Sequence, residues 1–259
     1  MLSLNGKVAA ITGGTRGIGR GIADAFLREG ARVAMNGRSA EKGAQALAEM
    51  NRGTDAAFFQ GDVLKQADVN SFIEQTVARF GRIDILVCNA GGAAGFAPVA
   101  EMTDESWQLA VDWNLNHTFW AMRKALQYMI PQKSGRIINI SSVEGKHGKP
   151  GIAGYVATKH AINGLTKAAA KEVGTLGITV NAICPGLIIT DIVRDSGAAA
   201  AASMGLTFDE MVAQFASESA IKRQNTVEEV AAMAVLLASD VAAGITGALL
   251  SVDGGTAAY

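Results

Sequence analysis

Short apolar runs alternate with helical hydrophobic patterns along almost the whole chain, and this alternation limits the fold more than any other feature of the sequence. The pattern predicts a buried strand at Val8 to Ile11 and a helix at Ile18 to Glu29, with Gly30 just beyond its end. The same unit then recurs. Further strands are predicted at 32–35, 56–59, 83–87, 136–140, 178–184 and 249–252, and further helices at 40–50, 69–80, 105–129, 155–173 and 226–238.

This alternation predicts an α/β fold. Strands that are apolar along their whole length are buried on both faces, which is typical of a parallel sheet covered by helices. We therefore expect a doubly wound parallel sheet of about seven strands. Hydrophobic residues make up 49% of the 259 residues, enough for a substantial core. No Pro- or Ser-rich linker divides the chain, which predicts one domain over 1–259, with a long connection at about 186–225 expected to act as a substrate lid.

Charge and composition exclude several classes of partner. Lys and Arg number 23 and Asp and Glu 24, a formal net charge of −1, so no basic surplus favours nucleic acid. The two cysteines cannot build a disulfide framework, and no Cys/His cluster has metal-site spacing. The apolar run Val230 to Ala238 is too short to span a bilayer, and Met1 to Lys7 lacks a signal-peptide core. We therefore expect a cytoplasmic protein that binds no membrane, nucleic acid or metal.

A glycine-rich turn follows the first predicted strand. The stretch Thr12 to Gly19 has the spacing T-G-x-x-x-G-x-G rather than the dinucleotide fingerprint G-x-G-x-x-G. Such a turn lets the backbone approach a diphosphate, to which the following helix N-terminus offers free N–H groups. A structural tight turn is the alternative. On the binding interpretation, the contacting residues are Gly13, Thr15, Arg16, Gly17, Ile18 and Gly19.

The end of the second predicted strand indicates which dinucleotide would bind. An NAD site carries Asp or Glu about 20 residues after the glycines, where the carboxylate binds the ribose 2′-hydroxyl. Here Gly37 takes that place and Arg38 follows it. A guanidinium can hold a 2′-phosphate with two parallel hydrogen bonds, and Arg16 would add a second positive charge. We expect NADP(H) to be preferred and NAD(H) to be possible; two solvated surface arginines are the alternative.

Two further loops follow predicted strands at the edge where ligands of open α/β sheets bind. Asp62 and Val63 follow the third strand, and Asn89, Ala90 and Gly91 follow the fourth. We expect all five residues to contact the cofactor. For Asp62, a cap of the next helix is an equal alternative.

Ser142, Tyr155 and Lys159 form a candidate catalytic set. Ser142 follows the fifth predicted strand, and Tyr155 and Lys159 are spaced to lie on one face of a helix. The hydroxyl of tyrosine has an ordinary pKa of about 10, and a neighbouring ammonium would lower that pKa. Tyr155 would then exchange a proton with an alcohol or carbonyl oxygen that Ser142 holds by a hydrogen bond.

Together these motifs resemble those of the short-chain dehydrogenase/reductase family along the whole chain. The resemblance implies a Rossmann-like fold, a homotetramer and hydride transfer between a nicotinamide and a carbonyl or secondary alcohol. It also implies that Asn114 completes a catalytic tetrad by holding a water that connects Lys159 to solvent. Lys159 would also hold the nicotinamide ribose. After the sixth strand, the nicotinamide half would be contacted by Pro185, Gly186, Ile188 and Thr190.

The substrate is indicated by residues near Ser142. Motifs on both sides of the catalytic set are similar to 3-hydroxybutyrate dehydrogenases, in which a His and a Lys hold the substrate carboxylate. Glu144 and Ile152 stand at those two positions, so we expect no hydroxybutyrate substrate. For Glu144, two interpretations stay open: a hydrogen bond to a polyhydroxy or amino substrate, or a salt bridge to Lys146 or Lys149.

The resemblance extends to 3-oxoacyl carrier-protein reductases and polyketide ketoreductases. We therefore expect an NADP(H)-dependent oxidoreductase that acts on a small-molecule ketone, β-keto ester or oxoacyl-type substrate. An NAD-dependent dehydrogenase of secondary alcohols or hydroxy acids is the main alternative. A cofactor-binding sensor without catalysis is a further one, against which the intact catalytic set argues.

Overall fold

Seven parallel strands form one sheet in the residues that the computed structural model describes, 2–203 and 205–257. In chain order they are β1 (Val8–Ile11), β2 (Arg32–Gly37), β3 (Ala56–Gln60), β4 (Ile85–Cys88), β5 (Gly135–Ile140), β6 (Ile178–Pro185) and β7 (Leu249–Val252). Their spatial order is β3-β2-β1-β4-β5-β6-β7, which is a doubly wound, Rossmann-like sheet. The predicted fold class is confirmed.

The winding of the sheet reverses between β1 and β4. Ala9 of β1 is paired with Val33 of β2 on one side and with Ile85 of β4 on the other. The two halves of the sheet extend outward from this point, so the carboxyl ends of β1 and β4 open the crevice in which ligands of such sheets bind. The segments after β5 and β6 start at the same edge.

Helices cover both faces of the sheet. Those of the described chain are α1 (Gly17–Arg28), α2 (Ala40–Met50), α3 (Gln66–Phe80), α4 (Asp104–Ala110), α5 (His117–Gln132), α6 (Ala153–Val173), α7 (Asp191–Ser203), α8 (Phe208–Glu218) and α9 (Val227–Ala238). On one face α1, α2 and α9 build a core around Phe26 and Val230, and on the other α3, α5 and α6 build a core around Phe72 and Met129. This double burial explains why the strands are apolar along their length.

The strand boundaries agree with the predicted ones to within two residues. The largest shifts are of two residues: β2 ends at Gly37 rather than at Met35, and β4 begins at Ile85 rather than at Ile83. The Ile83 carbonyl accepts a hydrogen bond from the Gln132 side chain (2.8 Å), and the Val8 N–H donates to the Asp84 carboxylate (2.9 Å). Because the Ile83 carbonyl and the Val8 N–H bond to side chains, neither group takes part in the hydrogen bonds between β1 and β4.

The helix predicted at 105–129 is interrupted. Between α4 and α5, the six residues Val111–Asn116 form a π-helical turn. The apolar pattern of the sequence indicates a helix here but does not distinguish a short π-helical turn from the α-helix around it. Such turns are frequent at functional sites, and this one contains Asn114.

Two findings concern what the described part of the chain lacks. None of its helices has both the length and the hydropathy needed to cross a membrane. Among the same residues, no three His, Cys, Asp or Glu side chains are grouped so that they could hold a metal ion.

Candidate active site

A cavity of about 1040 Å³ opens at the carboxyl edge of the sheet. It extends from Arg38 at the end of β2 to Ser142 after β5, and residues of α7 and α8 also line it. Most of the residues predicted from the sequence lie in its wall, namely Gly13, Thr15, Arg16, Gly17, Ile18, Arg38, Val63, Asn89, Ala90, Gly91, Ser142, Glu144, Ile152, Tyr155, Lys159, Pro185, Gly186, Ile188 and Thr190. Gly19, Asp62 and Asn114 are not part of that wall.

The glycine-rich turn between β1 and α1 depends on its glycines for two different reasons. Gly13 and Gly17 have φ angles of +64° and +56°, a left-handed conformation that other residues rarely adopt. Gly19 is required by packing, because a Cβ there would collide with the Asn89 side-chain amide. The turn therefore brings backbone, rather than side chains, to the cavity wall.

The Asn89 side chain fixes this turn. Its Nδ2 donates hydrogen bonds to the carbonyls of Thr12 and Gly13 (3.0 and 3.1 Å). In return, the buried Thr12 hydroxyl accepts hydrogen bonds from the N–H groups of Asn89 and Ala90 (2.9 and 3.1 Å). The sequence motif does not show this supporting role, which links the end of β4 to the end of β1.

One end of the cavity is positively charged and carries no acid at the position that NAD sites use. Gly37 occupies that position, and a Cβ there would approach the Thr15 side chain to 3.3 Å. Arg38 is exposed at the cavity edge, and Lys42 lines the same end from the first turn of α2. Together with Arg16, these side chains form a cationic surface suited to a phosphate group.

Ser142, Tyr155 and Lys159 meet at the other end. Tyr155 and Lys159 lie one turn apart in α6, with Lys159 Nζ 5.3 Å from the centre of the Tyr155 ring. Lys159 is buried, and its ammonium donates a hydrogen bond to the Ile140 carbonyl (2.8 Å) at the end of β5. The end of β5 thus positions both Lys159 and the adjoining Ser142.

The pKa of Tyr155 differs from the expectation. Burial raises this pKa above its ordinary value, the negative charge of Glu144 raises it further, and the Ser142 hydroxyl lowers it. Lys159 is not among the groups that lower it, so the expectation that Lys159 depresses this pKa is wrong for the chain alone. The physical reason is that burial lowers the pKa of Lys159 to about 8, so Lys159 has lost its positive charge before the pH reaches the range in which a tyrosine ionises.

Asn114 is fully buried in the π-helical turn, behind the cavity wall. Its Oδ1 accepts a hydrogen bond from the Gly92 N–H (3.1 Å), and its Nδ2 donates to the carbonyls of Gly92 and Ala110 (3.0 Å each). These bonds tie the helix to the loop after β4. The water-holding role that the family implies for Asn114 stays a prediction.

Asp62 closes the turn between β3 and α3. Its carboxylate accepts a hydrogen bond from the Leu64 N–H (3.1 Å), and its own N–H donates to the Asp68 carboxylate (2.8 Å). The N-cap of α3 is Lys65, so the alternative of a helix cap is wrong for Asp62. The neighbouring Val63 is buried and lines the cavity.

Glu144 lies in the cavity wall beside Ser142. The Ser142 hydroxyl donates a hydrogen bond to the Glu144 carboxylate, and the Glu144 N–H donates back to Ser142 Oγ (3.2 Å). Lys146 is bonded to β7, and Lys149 forms a salt bridge with Glu218 (3.4 Å). Of the two interpretations left open for Glu144, the salt bridge to one of these lysines is therefore wrong, because both ammonium groups are engaged elsewhere.

Sequence reasoning missed the apolar wall near Ser142. Phe96, Trp113, Met211 and Phe215 line the cavity without belonging to any motif. Helical periodicity marks such side chains as core residues, and only the structure shows which of them face a cavity. The one signal available was a large aromatic residue in a loop after a strand, and Phe96 is 48% exposed.

A family model described as short chain dehydrogenase matches residues 7–201, a range that includes the glycine-rich turn, Ser142, Tyr155 and Lys159. The chain belongs to the short-chain dehydrogenase family. As a member of that family it is an oxidoreductase.

Relatives and solved structures of this short-chain dehydrogenase match nearly its full length. The 3-oxoacyl-acyl-carrier-protein reductase of Staphylococcus aureus (strain MW2) is 38% identical over 251 residues, 96% of this chain and 97% of the relative. The 3beta-hydroxysteroid dehydrogenase of Mediterraneibacter gnavus is 38% identical over 264 residues, 98% of this chain and 95% of the relative. A variant of actinorhodin polyketide ketoreductase with NADPH superimposes with a TM-score of 0.93 at 35% identity, covering 98% of both chains.

Proposed function

We propose that this short-chain dehydrogenase is an NADP(H)-dependent carbonyl reductase. It would act on a ketone, β-keto ester or oxoacyl-type substrate and, in reverse, on a secondary alcohol. The observation that carries the proposal is one continuous cavity with Arg38 at one end and Ser142, Tyr155 and Lys159 at the other. The names of a 3-oxoacyl-acyl-carrier-protein reductase and a polyketide ketoreductase with NADPH among its relatives support the same reaction and cofactor.

The residues of the cavity fit NADP(H). The turn at Gly13 and Gly17 would hold the diphosphate, since its left-handed glycines leave the backbone accessible. Arg38 and Lys42 would hold the 2′-phosphate, while Gly37 supplies no carboxylate to repel it. The nicotinamide half would be held by Asn89, Ala90, Gly91, Pro185, Gly186, Ile188, Thr190 and Lys159.

Tyr155 and Ser142 would act on the carbonyl oxygen of the substrate. When bound, NADPH supplies the hydride that adds to the carbonyl carbon. The Tyr155 hydroxyl donates its proton to the carbonyl oxygen, and the Ser142 hydroxyl donates a hydrogen bond to the same oxygen. The product is a secondary alcohol. A raised pKa suits Tyr155 to this direction, because a general acid must carry its proton before the reaction.

Lys159 and Asn114 would support the proton transfer. The pKa of Lys159 is about 8, so its ammonium can give up a proton near neutral pH and replace the one that Tyr155 has donated. The Ile140 carbonyl fixes the position of that ammonium. Asn114 keeps the loop at Gly92 in place through paired hydrogen bonds.

An activity screen of the purified full chain tests this function. The substrates are cyclic ketones, β-keto esters and oxoacyl thioesters, each with NADPH and with NADH, and cofactor absorbance is followed. We expect turnover of at least one ketone class, faster with NADPH. Tight NADPH binding without turnover of any substrate would refute the reductase, and faster turnover with NADH would refute the cofactor preference. The homotetramer implied by the family resemblance stays a prediction.

A further inference from the structure

Glu144 is a half-buried carboxylate in the cavity wall that forms no salt bridge within the part of the chain that the structure describes. In the described residues its only side-chain partner is the Ser142 hydroxyl. Of the two lysines on its loop, Lys146 donates to the Leu249 carbonyl (3.0 Å), and Lys149 pairs with Glu218. The charge of Glu144 raises the pKa of Lys159, but no cation pairs directly with the Glu144 carboxylate among the described residues. Removing a charge from water without a direct ion pair costs free energy, and a ligand that donates hydrogen bonds would reduce that cost.

The position of Glu144 determines which part of a substrate it can reach. Its carboxylate is bonded to the same Ser142 hydroxyl that we propose to hold the reacting oxygen. Once the substrate oxygen takes the Ser142 hydrogen bond, the Glu144 carboxylate loses its partner and, being next to Ser142 in the cavity wall, faces the part of a substrate close to the reacting carbonyl. An ionised carboxylate only accepts hydrogen bonds, so it then requires a donor.

We propose that Glu144 determines specificity by accepting a hydrogen bond from a hydroxyl or ammonium group that the substrate carries close to its reacting carbonyl. This rests on the proposed reductase function. Phe96, Trp113 and Ile152 line the cavity and fit an apolar substrate body. A substrate carboxylate at the same position is repelled by Glu144. The substrate class is therefore an apolar hydroxyketone or aminoketone, or the matching diol or amino alcohol in the oxidative direction.

Four ketones with one phenyl framework test this specificity. They are propiophenone, β-hydroxypropiophenone, β-aminopropiophenone and benzoylacetate, which place hydrogen, hydroxyl, ammonium and carboxylate at matched positions. For each, kcat/KM is measured with NADPH, and binding to the NADPH-saturated protein is measured by calorimetry. We expect the kcat/KM of the wild type to be about tenfold or more higher with the hydroxyl or the ammonium compound than with propiophenone. One hydrogen bond to a charged group accounts for a factor of this size.

Glu144→Gln and Glu144→Val test whether this preference depends on the carboxylate. Gln keeps the shape and a neutral acceptor, whereas Val removes the acceptor. Glu172→Gln, on the exposed side of α6, is the matched control and should keep the wild-type preference. Far-ultraviolet circular dichroism and thermal melting confirm that each variant is folded. We expect Glu144→Val to lower the preference about tenfold and to raise the relative rate with benzoylacetate.

The outcomes separate this inference from the proposed function. If Glu144→Gln loses more kcat/KM with β-aminopropiophenone than with β-hydroxypropiophenone, the natural substrate carries an ammonium group. If it loses more with β-hydroxypropiophenone, the natural substrate carries a hydroxyl group. An equal loss of kcat/KM with all four ketones would show that Glu144 has a structural role. That result overturns the inference and leaves the proposed reductase function standing. Absence of turnover with a binding preference that depends on Glu144 refutes the reductase alone. Absence of any preference in binding overturns the inference.

Discussion

The ammonium of Lys149 lies 3.4 Å from the centre of the Phe215 ring and so connects the loop after β5 to α8. Glu218, near the end of the same helix, forms a salt bridge with that ammonium at 3.4 Å. All three side chains line the cavity, and Phe215 and Glu218 belong to the segment proposed as a lid. One cation thus holds two side chains of α8 beside the cavity.

We expect Lys149→Met to raise the KM for the ketone about threefold to tenfold, since the variant keeps an apolar stem but loses the ion pair and the cation–π contact. The kcat should not fall, because the contact is made equally in the ground state and the transition state. Steady-state kinetics with saturating NADPH measure both. Lys171→Met, an exposed change on α6, is the control. An unchanged KM would show that this contact does not hold the lid.

Tyr155→Phe tests the proposed proton donor. Removing the hydroxyl should lower kcat about a hundredfold or more, because general acid catalysis is lost while the ring still fills its place. NADPH binding, measured by fluorescence, should be retained. Tyr128→Phe on α5, outside the cavity, is the matched control. Near-wild-type turnover of Tyr155→Phe would show that another group protonates the product.

Arg38→Asp tests the cofactor preference. The change replaces a cation with an anion next to Gly37, so it should weaken NADPH binding at least about tenfold and favour NADH. Position 37 is less suitable for this test, because a Cβ there would press against Thr15 at 3.3 Å. Arg52→Asp, an exposed change of equal charge after α2, is the control. Equal NADPH affinity of the wild type and Arg38→Asp would show that Arg38 does not bind the cofactor.

The sequence predicted what depends on local pattern. Continuous apolar strands predict burial on both faces, and the spacing of Tyr155 and Lys159 places them on one helix face, as the structure confirms. The glycine-rich turn was located for the same reason, because positive φ at Gly13 and Gly17 favours glycine whatever its tertiary surroundings.

What the sequence did not predict depends on tertiary contacts. The partners of Lys146 and Lys149 lie about a hundred and about seventy residues away, on β7 and α8, so a salt bridge to nearby Glu144 was the only pairing the sequence suggested. The pKa of Tyr155 was misjudged because one nearby cation was considered and burial was not. The π-helical turn at Asn114 was missed because it is defined by backbone hydrogen bonds, which the apolar pattern of a helix does not show.

Glu144→Gln tests the electrostatics of Tyr155 through a pH profile. Tyr155 faces Glu144 and Ser142 from the loop after β5, Cys184 from β6 and Lys159 from its own helix. Because Glu144 raises the pKa of Tyr155, removing its charge should lower that pKa. Alcohol oxidation requires the phenolate, so its kcat/KM should reach half of its maximum at a lower pH in Glu144→Gln. An unchanged midpoint, with Glu172→Gln as the control, would show that Glu144 does not act on Tyr155.

His117 makes the fold sensitive to acid. It is buried, its Nδ1 lies 2.8 Å from the Trp113 carbonyl, and burial followed by the charge of Lys159 lowers its pKa from 6.5 to about 4. Between these two values the unfolded chain binds a proton that the folded chain does not, so the free energy of unfolding falls as the pH falls from 6.5 towards 4. From pH 7 to pH 5 the free energy of unfolding should fall by about 2 kcal/mol.

Urea unfolding at both pH values measures this loss of stability. We expect the full loss in the wild type and in His160→Asn, an exposed control, and a smaller loss in His117→Asn. An equal loss in His117→Asn would assign the acid sensitivity to other groups.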